Sequence, residues 1–428
     1  MKFISTRGNK KELAFSEAIM KGLADDGGLY VPVSLPKIDI SRLDYDPDRD
    51  PYSKLACQLI APFAEGDILE KDLKGICERA FDFPIRLAYD EKNDRHAILE
   101  LFWGPTFAFK DFGARFLAES MESILQNRGE RKLILVATSG DTGSAVGSAF
   151  LGKKSIDVKI LFPKGMVSQR QKAQLCAFSG NVNTYQVEGT FDDCQRMVKE
   201  AFMDAELNGK YDFSSANSIN IARLIPQMTY YFYASLKFHK DRKRKPVIIV
   251  PTGNAGNVTA AYYAMLMGAP IEKLFLACNS NHSIVDYLNT GEYKGHKTIK
   301  TLANAMDVGN PSNMERLMFM FPSIEEFRRN VDAMCVSDDE IRSAIKSYYD
   351  AHSAFICPHT ACSVYAMEKR FSDDDDVIAV STASPVKFSD VIQDILGMAP
   401  PEDERFVRII SGKQQFTEIK ADYHQLFS

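Results

Sequence analysis

The sequence has little of what metal-binding, secreted and nucleic-acid-binding proteins usually carry. Its eight cysteines are scattered, with no CxxC pair and no His/Cys spacing, which argues against both a zinc site and a disulfide framework. The formal net charge of -5 gives no basic field to neutralise the phosphates of a nucleic acid. We therefore expect reduced thiols, no metal ion and no nucleic-acid partner.

Long hydrophobic runs are also missing. No stretch approaches the roughly 20 apolar residues of a membrane span. The opening MKFISTRGNKKELAF carries charge where a signal peptide needs an apolar core. We therefore expect no membrane partner and a cytoplasmic location.

Apolar residues in regular patterns are what the sequence does contain. Its 428 residues, 45% of them hydrophobic, suffice for two or three domains with sizeable cores. Helical spacing of apolar residues from about 13 to 24 and from about 53 to 81 predicts a mainly helical N-terminal domain, 1–95.

Beyond that domain, short apolar runs alternate with helical patterns. The runs are KLILVAT, DVKILFP, VNTYQV, KPVIIVP, KLFLAC and DDVIAVST. Runs of this length are typical of parallel strands that are buried on both faces. The sequence therefore predicts an α/β fold, with a smaller α/β domain at 96–230 and a larger one at 231–428.

Two of these runs lead through glycine-containing turns into helices. The first is followed by SGDTGSAVGSAF, with a helix expected from about Ser144, and its exposed amides can seat a carboxylate or phosphate. The second is TGNAGNVTAAYYAMLMG, where Gly253 to Asn257 could direct five amides at one dianion. Neither turn matches GxGxxG or GxxxxGK[ST], so an ordinary strand-to-helix turn remains the alternative for each.

Hydroxyl side chains follow the last apolar run. Ser381, Thr382 and Ser384 lie there, at the expected carboxyl end of a strand, where α/β proteins bind ligands. A hydroxyl can bond to a ring nitrogen without requiring that nitrogen to be protonated. Serine and threonine are common in turns, so these residues carry little weight alone.

Lys110 lies between aromatic residues in the segment GPTFAFKDFGARF. We expect Phe107, Phe109 and Phe112 to lower its pKa by excluding water. An amine near a phosphate-binding turn could hold an aldehyde cofactor as a Schiff base, and pyridoxal 5'-phosphate has both an aldehyde and a phosphate. The alternative is a lysine at a helix start with phenylalanines in the core.

Six segments in chain order resemble the threonine synthases: GPTFAFKDFGARF, ATSGDTGSAVGSAF, SANSINIARL, VPTGNAGNVTAAY, NAMDVGNPSN and STASPVKF. The earlier FSEAIMKGLADDGGLYVP is similar to that family's N-terminal domain. The resemblance implies a fold type II pyridoxal-phosphate enzyme with two open, mostly parallel twisted sheets and flanking helices. It implies a lyase that converts O-phospho-L-homoserine and water to L-threonine and phosphate, the last step of threonine biosynthesis. We expect a monomer or a homodimer.

The resemblance also implies roles for individual residues. Lys110 would be the Schiff-base lysine, Thr382 would face the pyridine nitrogen, and Asp141 would lie beside the cofactor's 3' oxygen. Three groups would bind the remaining parts: Gly253, Asn254, Ala255, Gly256 and Asn257 the cofactor phosphate; Ser139, Gly140, Thr142 and Gly143 the substrate carboxylate; Asn217, Ser218, Asn220 and Arg223 the substrate phosphate, with Lys164 and Ser168 as further candidates. Relatives carry asparagine at Asp141, and many carry histidine at Ser384, so Ser384 receives no catalytic role.

Other readings remain open at this point. One alternative is a related lyase that uses the same lysine, either a serine or threonine dehydratase or a phospho-lyase that releases 2-oxobutyrate from phosphohomoserine. The identity of the product distinguishes these enzymes from one another. A nucleotide-binding module would need a Walker lysine, which neither glycine turn has. His359 lies next to a plausible functional turn, but a buried structural histidine is favoured there over a functional one. His282 follows a strand and is a weaker candidate for lining the crevice.

Overall fold

The computed structural model describes residues 1–138 and 140–427. The strands are β1 (Phe3–Ser5), β2 (Tyr30–Pro32), β3 (Arg86–Tyr89), β4 (His96–Glu100), β5 (Lys132–Ala137), β6 (Ile156–Pro163), β7 (Val182–Glu188), β8 (Phe213–Ser214), β9 (Val247–Pro251), β10 (Lys273–Cys278), β11 (Val331–Cys335), β12 (Val377–Ser381) and β13 (Thr417–Lys420).

The α-helices are α1 (Phe15–Lys21), α2 (Tyr52–Ala64), α3 (Leu73–Ala80), α4 (Lys110–Arg128), α5 (Asp141–Phe150), α6 (Gln169–Leu175), α7 (Phe191–Met203), α8 (Ala205–Lys210), α9 (Ile221–Arg242), α10 (Gly256–Met267), α11 (Ser283–Thr290), α12 (Met314–Met320), α13 (Ile324–Asn330), α14 (Asp338–His352), α15 (Pro358–Arg370), α16 (Ser389–Leu396) and α17 (Glu404–Ile410). Short 3-10 helices occur at Ile40–Arg42, Asn304–Met306, Pro385–Phe388 and Tyr423–Leu426. Within the described chain, none of these helices is both long and apolar enough to cross a membrane.

Two sheets form the centre of the molecule. The larger has the order β11-β10-β9-β12-β4-β3, and its strands run parallel except for β3, which pairs antiparallel with β4. The smaller has the order β13-β7-β6-β5-β8 and is parallel throughout. Every residue of β5 and of β12 is buried, because helices cover both faces of a parallel sheet.

The predicted α/β fold with two mostly parallel sheets is confirmed. The six apolar runs form β5, β6, β7, β9, β10 and β12. The sequence pattern did not reveal β3, β4, β8, β11 and β13, because these strands are short or only partly buried and carry no continuous apolar run. The N-terminal part is mainly helical, as expected, and adds the small antiparallel pair β1 and β2.

The chain crosses between the two sheets more than once. Strands β3 and β4 belong to the larger sheet, the chain then builds most of the smaller sheet, and β9 returns to the larger one. Near the C-terminus, β13 pairs with β7 of the smaller sheet. Each of the predicted segments 1–95, 96–230 and 231–428 therefore contributes a strand that pairs with a strand of another segment.

Candidate active site

Lys110 begins α4 and lies against the carboxyl end of β12. The loop before it pairs with the residues that follow β12: the Phe109 amide donates to the Thr382 carbonyl at 2.8 Å, and the Ser384 amide donates to the Phe107 carbonyl at 3.0 Å. Phe107 has a φ of 60°, in the left-handed region, which turns the chain toward the helix start. These backbone contacts bring Lys110 and Thr382 together from distant parts of the sequence.

Burial and neighbouring charges set the state of the Lys110 amine. Burial lowers the pKa of Lys110 to about 8, with Lys387 and Arg223 acting in the same direction and Asp141 opposing them. The amine lies 5.9 Å from the centre of the Phe109 ring. An amine with this pKa is partly neutral near physiological pH and can act as a nucleophile or a base.

Only one of the three phenylalanines expected to surround this amine faces it. Phe109 does so, but Phe107 packs on Phe406, with ring centres 5.2 Å apart. Phe112 packs on Phe83 and other aromatic rings of the core. The charges of Lys387 and Arg223 therefore add to the effect of burial on this amine.

The turn between β9 and α10 presents a row of free amides. Among the described residues, none of the backbone N–H groups from Gly253 to Asn257 has a hydrogen-bond acceptor. Ala255 has a φ of 57°, and the Asn257 side chain holds the turn closed by donating to the Pro251 carbonyl at 2.8 Å. Buried N–H groups are rarely left without a partner, so this turn at a helix N-terminus fits a phosphate.

Neighbouring segments brace this turn. The Asn254 side chain donates to Ser218 Oγ at 2.6 Å and accepts from the Ser312 amide at 2.6 Å. Gly253 lies so close to Met306 that a Cβ at position 253 would approach the Met306 Cα and carbonyl oxygen to 2.6 Å. The predicted phosphate turn and the Ser218 loop are therefore adjacent.

Arg316 ties these segments to the N-terminal domain. Its buried guanidinium donates to the Tyr30 carbonyl at 3.0 Å, the Ile219 carbonyl at 2.7 Å and Asn313 Oδ1 at 2.6 Å. Burial lowers the pKa of Arg316 to about 10, against the opposing effect of Tyr263 and Glu315. Since its bonds go to neutral oxygens in three segments, this arginine orders the loops around the site.

The turn before α5 offers fewer free groups than its glycines suggested. The helix begins at Asp141, three residues earlier than expected. The Gly140 and Gly143 amides both donate to Thr138 Oγ1, at 3.0 and 2.9 Å. The amides of Asp141 and Thr142 have no acceptor among the described residues, and Ser139 lies outside them. A substrate carboxylate can therefore use the amides of Asp141 and Thr142.

Asp141 forms a buried ion pair with Lys387. Lys387 Nζ lies 2.8 Å from Asp141 Oδ1, and the exposed fractions of the two side chains are 1% and 3%. Burial alone would raise the pKa of Asp141, but the charges of Lys387 and Lys110 outweigh it and hold this pKa well below its usual range. Lys387 also donates to the Thr106 carbonyl at 2.9 Å.

The residues expected at a second phosphate differ in what they offer. Arg223 is buried beside α4, its Nε has no partner among the described residues, and burial lowers the pKa of Arg223 to about 10. Gly113 leaves room for it, since a Cβ there would lie 3.0 Å from Arg223 Nε. Asn220, in contrast, caps α9 and donates to the Ile19 carbonyl at 2.8 Å, so its side chain is already used.

The two further candidates have other partners. Lys164 is about half exposed and pairs with Glu418 at 3.0 Å and Glu188 at 3.7 Å. Ser168 caps α6, where its hydroxyl accepts from the Gln171 amide at 3.2 Å. Both side chains are accounted for by local structure.

Of the three hydroxyl side chains after β12, two have partners within the protein. Ser381 Oγ pairs with Thr360 Oγ1 at 2.8 Å, and Ser384 Oγ accepts from the Val386 amide at 3.4 Å. The buried Thr382 hydroxyl has no hydrogen bond among the described residues. It is the hydroxyl that can bond to a ligand at this end of the sheet.

His359 is a buried, neutral histidine. Burial lowers its pKa to about 4, aided by the charges of Lys110 and Lys387 and opposed by Asp141. Its Nε2 accepts from the Ala305 amide at 3.1 Å, which requires that nitrogen to be unprotonated. His359 therefore holds the segment Asn304–Met306, which lies against Gly253 of the predicted phosphate turn. This is the structural role that was favoured for this histidine.

Sequence reasoning missed three residues of the site. Lys387 lies in STASPVKF, one of the segments that resemble the family, but no local pattern indicated that it pairs with Asp141. Gln171 Nε2 lies 3.4 Å from Asp141 Oδ1, and Asn304 Nδ2 lies 3.4 Å from Gln171 Oε1, so the pair links the two glycine turns. Asn304 Oδ1 is buried without a partner among the described residues, which indicates a ligand and is visible only in the tertiary structure.

These features together fit pyridoxal phosphate. The amine of lowered pKa suits the aldehyde, the free amides at the start of α10 suit the phosphate, and the unpartnered hydroxyl suits a ring nitrogen. Each lies at the carboxyl end of a parallel strand or close to it, where α/β sheets bind ligands.

Comparison with known proteins agrees with this fit. The family model of pyridoxal-phosphate dependent enzymes matches residues 96–383, that of the threonine synthase N terminus residues 2–81, and that of the threonine synthase C-terminal region residues 360–427. The threonine synthase of Serratia marcescens is 36% identical over 410 residues, 94% of this chain and 92% of that protein. That of Escherichia coli is 34% identical over 404 residues, 93% of this chain and 91% of that protein.

Solved structures give the same result. Pyridoxal-phosphate-bound threonine synthase from Brucella melitensis superposes with a TM-score of 0.93 at 33% identity, covering 100% of this chain and 98% of that one. Threonine synthase from yeast superposes with a TM-score of 0.91 at 32% identity, covering 100% and 97%. The cofactor expected from the sequence is thereby confirmed. Since models and relatives match nearly the whole length, the chain belongs to the threonine synthase family of pyridoxal-phosphate-dependent enzymes.

Proposed function

We propose that this chain converts O-phospho-L-homoserine and water to L-threonine and phosphate, by γ-elimination followed by addition of water at Cβ. The observation that carries the choice of substrate is Arg223. It is a buried cation whose Nε has no partner among the described residues, and it lies close enough to Lys110 to lower the pKa of that amine. A second cationic site beside the reactive lysine favours a substrate that brings its own phosphate.

The cofactor's contacts follow from the groups left free. Lys110 Nζ would hold its aldehyde carbon, the amides from Gly253 to Asn257 its phosphate, and the Thr382 hydroxyl its pyridine nitrogen. When bound, pyridoxal phosphate withdraws electrons from the amino-acid carbon next to it, which makes the protons there acidic enough for an amine to remove. Thr382 bonds to the nitrogen without demanding that it be protonated.

Lys110 carries the proton transfers in this proposal. The reaction needs a proton removed at Cα and another at Cβ, so one base must reach two adjacent carbons. Lysine has a flexible four-carbon stem. With a pKa of about 8, its Nζ can both accept and return a proton near neutral pH.

Binding groups orient the two ends of the substrate. Arg223 binds the phosphate and strengthens its contact as negative charge collects on the leaving oxygens. Ser218 and Asn217 lie in the loop just before it and complete this end. The amides of Asp141 and Thr142, at the positive end of α5, bind the carboxylate. The Gly140 and Gly143 amides shape this turn through Thr138.

The product of the reaction tests the proposal. Purified protein loaded with pyridoxal phosphate is given O-phospho-L-homoserine, and the product is followed by proton NMR alongside a phosphate assay. Threonine and phosphate released in equal amounts are expected, and the Lys110→Ala variant run in parallel should release neither. Release of 2-oxobutyrate, or turnover of serine or threonine alone, would replace this function with that of a phospho-lyase or a dehydratase.

Two other expectations from the sequence belong to the proposal. We place the chain in the cytoplasm because its eight cysteines are scattered without the spacing of a disulfide framework, and we propose a monomer or homodimer. Subcellular fractionation and sedimentation of the purified protein check the two points separately.

A further inference from the structure

A cluster of metal-ligating side chains lies outside the active site. His282 precedes α11, Asp286 lies one turn further along that helix, and His296 follows in the segment before Asn304–Met306. His282 Nδ1 and His296 Nε2 lie 3.0 and 2.8 Å from the same oxygen, Asp286 Oδ2. All three ligand atoms lie within 4.8 Å of one another.

We propose that His282, Asp286 and His296 bind one divalent transition-metal ion, for which Zn²⁺ is the best fit. Two imidazole nitrogens and one carboxylate oxygen are ligands that zinc prefers, whereas calcium and magnesium prefer oxygen alone. Exposed fractions of 41%, 37% and 44% leave the cluster open to solvent, so water can complete a tetrahedral site. The ion replaces the protons that otherwise lie between the two rings and the carboxylate.

The backbone around the cluster is already fixed. The His296 amide donates to the Gly309 carbonyl at 2.8 Å, and a Cβ on Gly309 would approach the His296 carbonyl oxygen to 2.2 Å. The Ile299 amide donates to Asn281 Oδ1 at 2.7 Å, and Asn281 Nδ2 donates back to the Ile299 carbonyl at 2.8 Å. These bonds hold the His296 segment against the residues before α11, so an ion pays little ordering entropy to recruit its third ligand.

Binding at this cluster has a consequence for the larger structure. The His296 segment continues into the 3-10 helix at Asn304–Met306 and then to Ser312 and Asn313, which brace Asn254. An ion would therefore stabilise the folded holoenzyme by linking α11 to this segment. It takes no part in the proposed chemistry, since none of the three ligands is among the residues assigned to the cofactor or the substrate.

The test uses the holoenzyme after treatment with a chelator and removal of that chelator. Zinc alone is added, and bound zinc is measured by equilibrium dialysis with elemental analysis. One zinc per chain is expected. His296→Ala and Asp286→Asn should each weaken binding by more than about tenfold, the loss found even for groups that only support a ligand. The matched control is His352→Ala, which removes a histidine 4.0 Å from a single carboxylate, Asp90.

Two results would overturn the proposal. One is the absence of stoichiometric zinc in the unaltered holoenzyme, and the other is equal zinc binding by the His296→Ala and Asp286→Asn variants. Co²⁺ in place of zinc provides a second readout, because a tetrahedral site with nitrogen ligands gives visible absorption that the His296→Ala variant should lose. Cofactor absorption of each variant confirms that it has folded.

Discussion

The Lys387 ammonium lies 2.8 Å from the Asp141 carboxylate, and both side chains are buried. The family resemblance implies that Asp141 lies beside the cofactor's 3' oxygen, where a lone carboxylate would repel a negative oxygen. A paired carboxylate does not carry that difficulty, because Lys387 supplies the compensating charge. The same lysine lowers the pKa of Lys110, so one residue affects both sides of the proposed site.

Lys387→Met should therefore have two effects. Breaking a buried ion pair from one side costs about 3–5 kcal/mol, since it leaves the other charge unpaired. The pKa of Lys110 should rise, because a positive neighbour is lost while Asp141 remains. Urea unfolding measures the first effect, and the pH dependence of cofactor uptake by the cofactor-free protein measures the second. In the double variant with Asp141→Asn, the two losses of stability should not add; strict additivity would contradict the pairing.

Lys110→Ala should lose both the visible absorption of the bound cofactor and turnover. A positioned acid–base group contributes about 10²–10⁴-fold to rate, and loss of the covalent attachment adds to this. Borohydride reduction followed by peptide mass analysis should find the cofactor on Lys110 in the unaltered protein. Lys10→Ala, a change at an exposed lysine, is the control. Labelling of any other lysine would move the attachment site.

Arg223→Ala should raise KM for O-phospho-L-homoserine while the cofactor absorption stays unchanged. Truncating one partner of a buried charged contact costs about 2–5 kcal/mol. Arg223→Lys keeps the charge without the planar fork, so it should recover part of the loss. Arg131→Ala, at a side chain that is 65% exposed, should leave KM alone. If Arg223→Ala instead released the cofactor, its role would lie at the cofactor phosphate.

Gly253→Ala should weaken cofactor binding. Its Cβ would lie 2.6 Å from backbone atoms of Met306, so the turn that offers the free amides must shift. We expect a loss of about 1–3 kcal/mol, as for overpacking elsewhere, measured by titration of the cofactor-free protein with pyridoxal phosphate. Gly209→Ala meets no atom within 4 Å and should leave cofactor affinity unchanged. Equal affinity in both variants would show that the turn tolerates a side chain and does not bind the phosphate.

His359 should make the protein less stable in acid. Its pKa is lowered from 6.5 to about 4 in the folded protein. Below pH 6.5 His359 therefore binds a proton in the unfolded chain but not in the folded protein. The free energy of unfolding falls as the pH drops from about 6.5 to 4. The loss attributable to this group is about 3 kcal/mol at the lower end. Urea unfolding across this range should give a shallower pH dependence for His359→Gln, and identical slopes would refute the assignment.

The sequence revealed those parts of the protein that depend on local patterns. Continuous apolar runs predicted six of the strands, because burial on both faces leaves a signal in consecutive residues. Glycine turns after two of them, together with Lys110, predicted the cofactor. Strands such as β4 and β13 were not predicted, because their burial depends on partners elsewhere in the chain.

By itself, then, the sequence determined the α/β class and the order of its motifs, and it predicted which lysine is the reactive amine. Only the tertiary structure decided which groups are free to act. In it the Asn220 side chain caps α9 and donates to the Ile19 carbonyl, the Thr382 hydroxyl has no partner among the described residues, and Lys387 pairs with Asp141. It also assembled His282, Asp286 and His296 from a helix and a loop. The physical reason is that strand order and loop packing, which no short pattern encodes, bring distant residues within a few ångströms and settle which hydrogen bonds remain unmade.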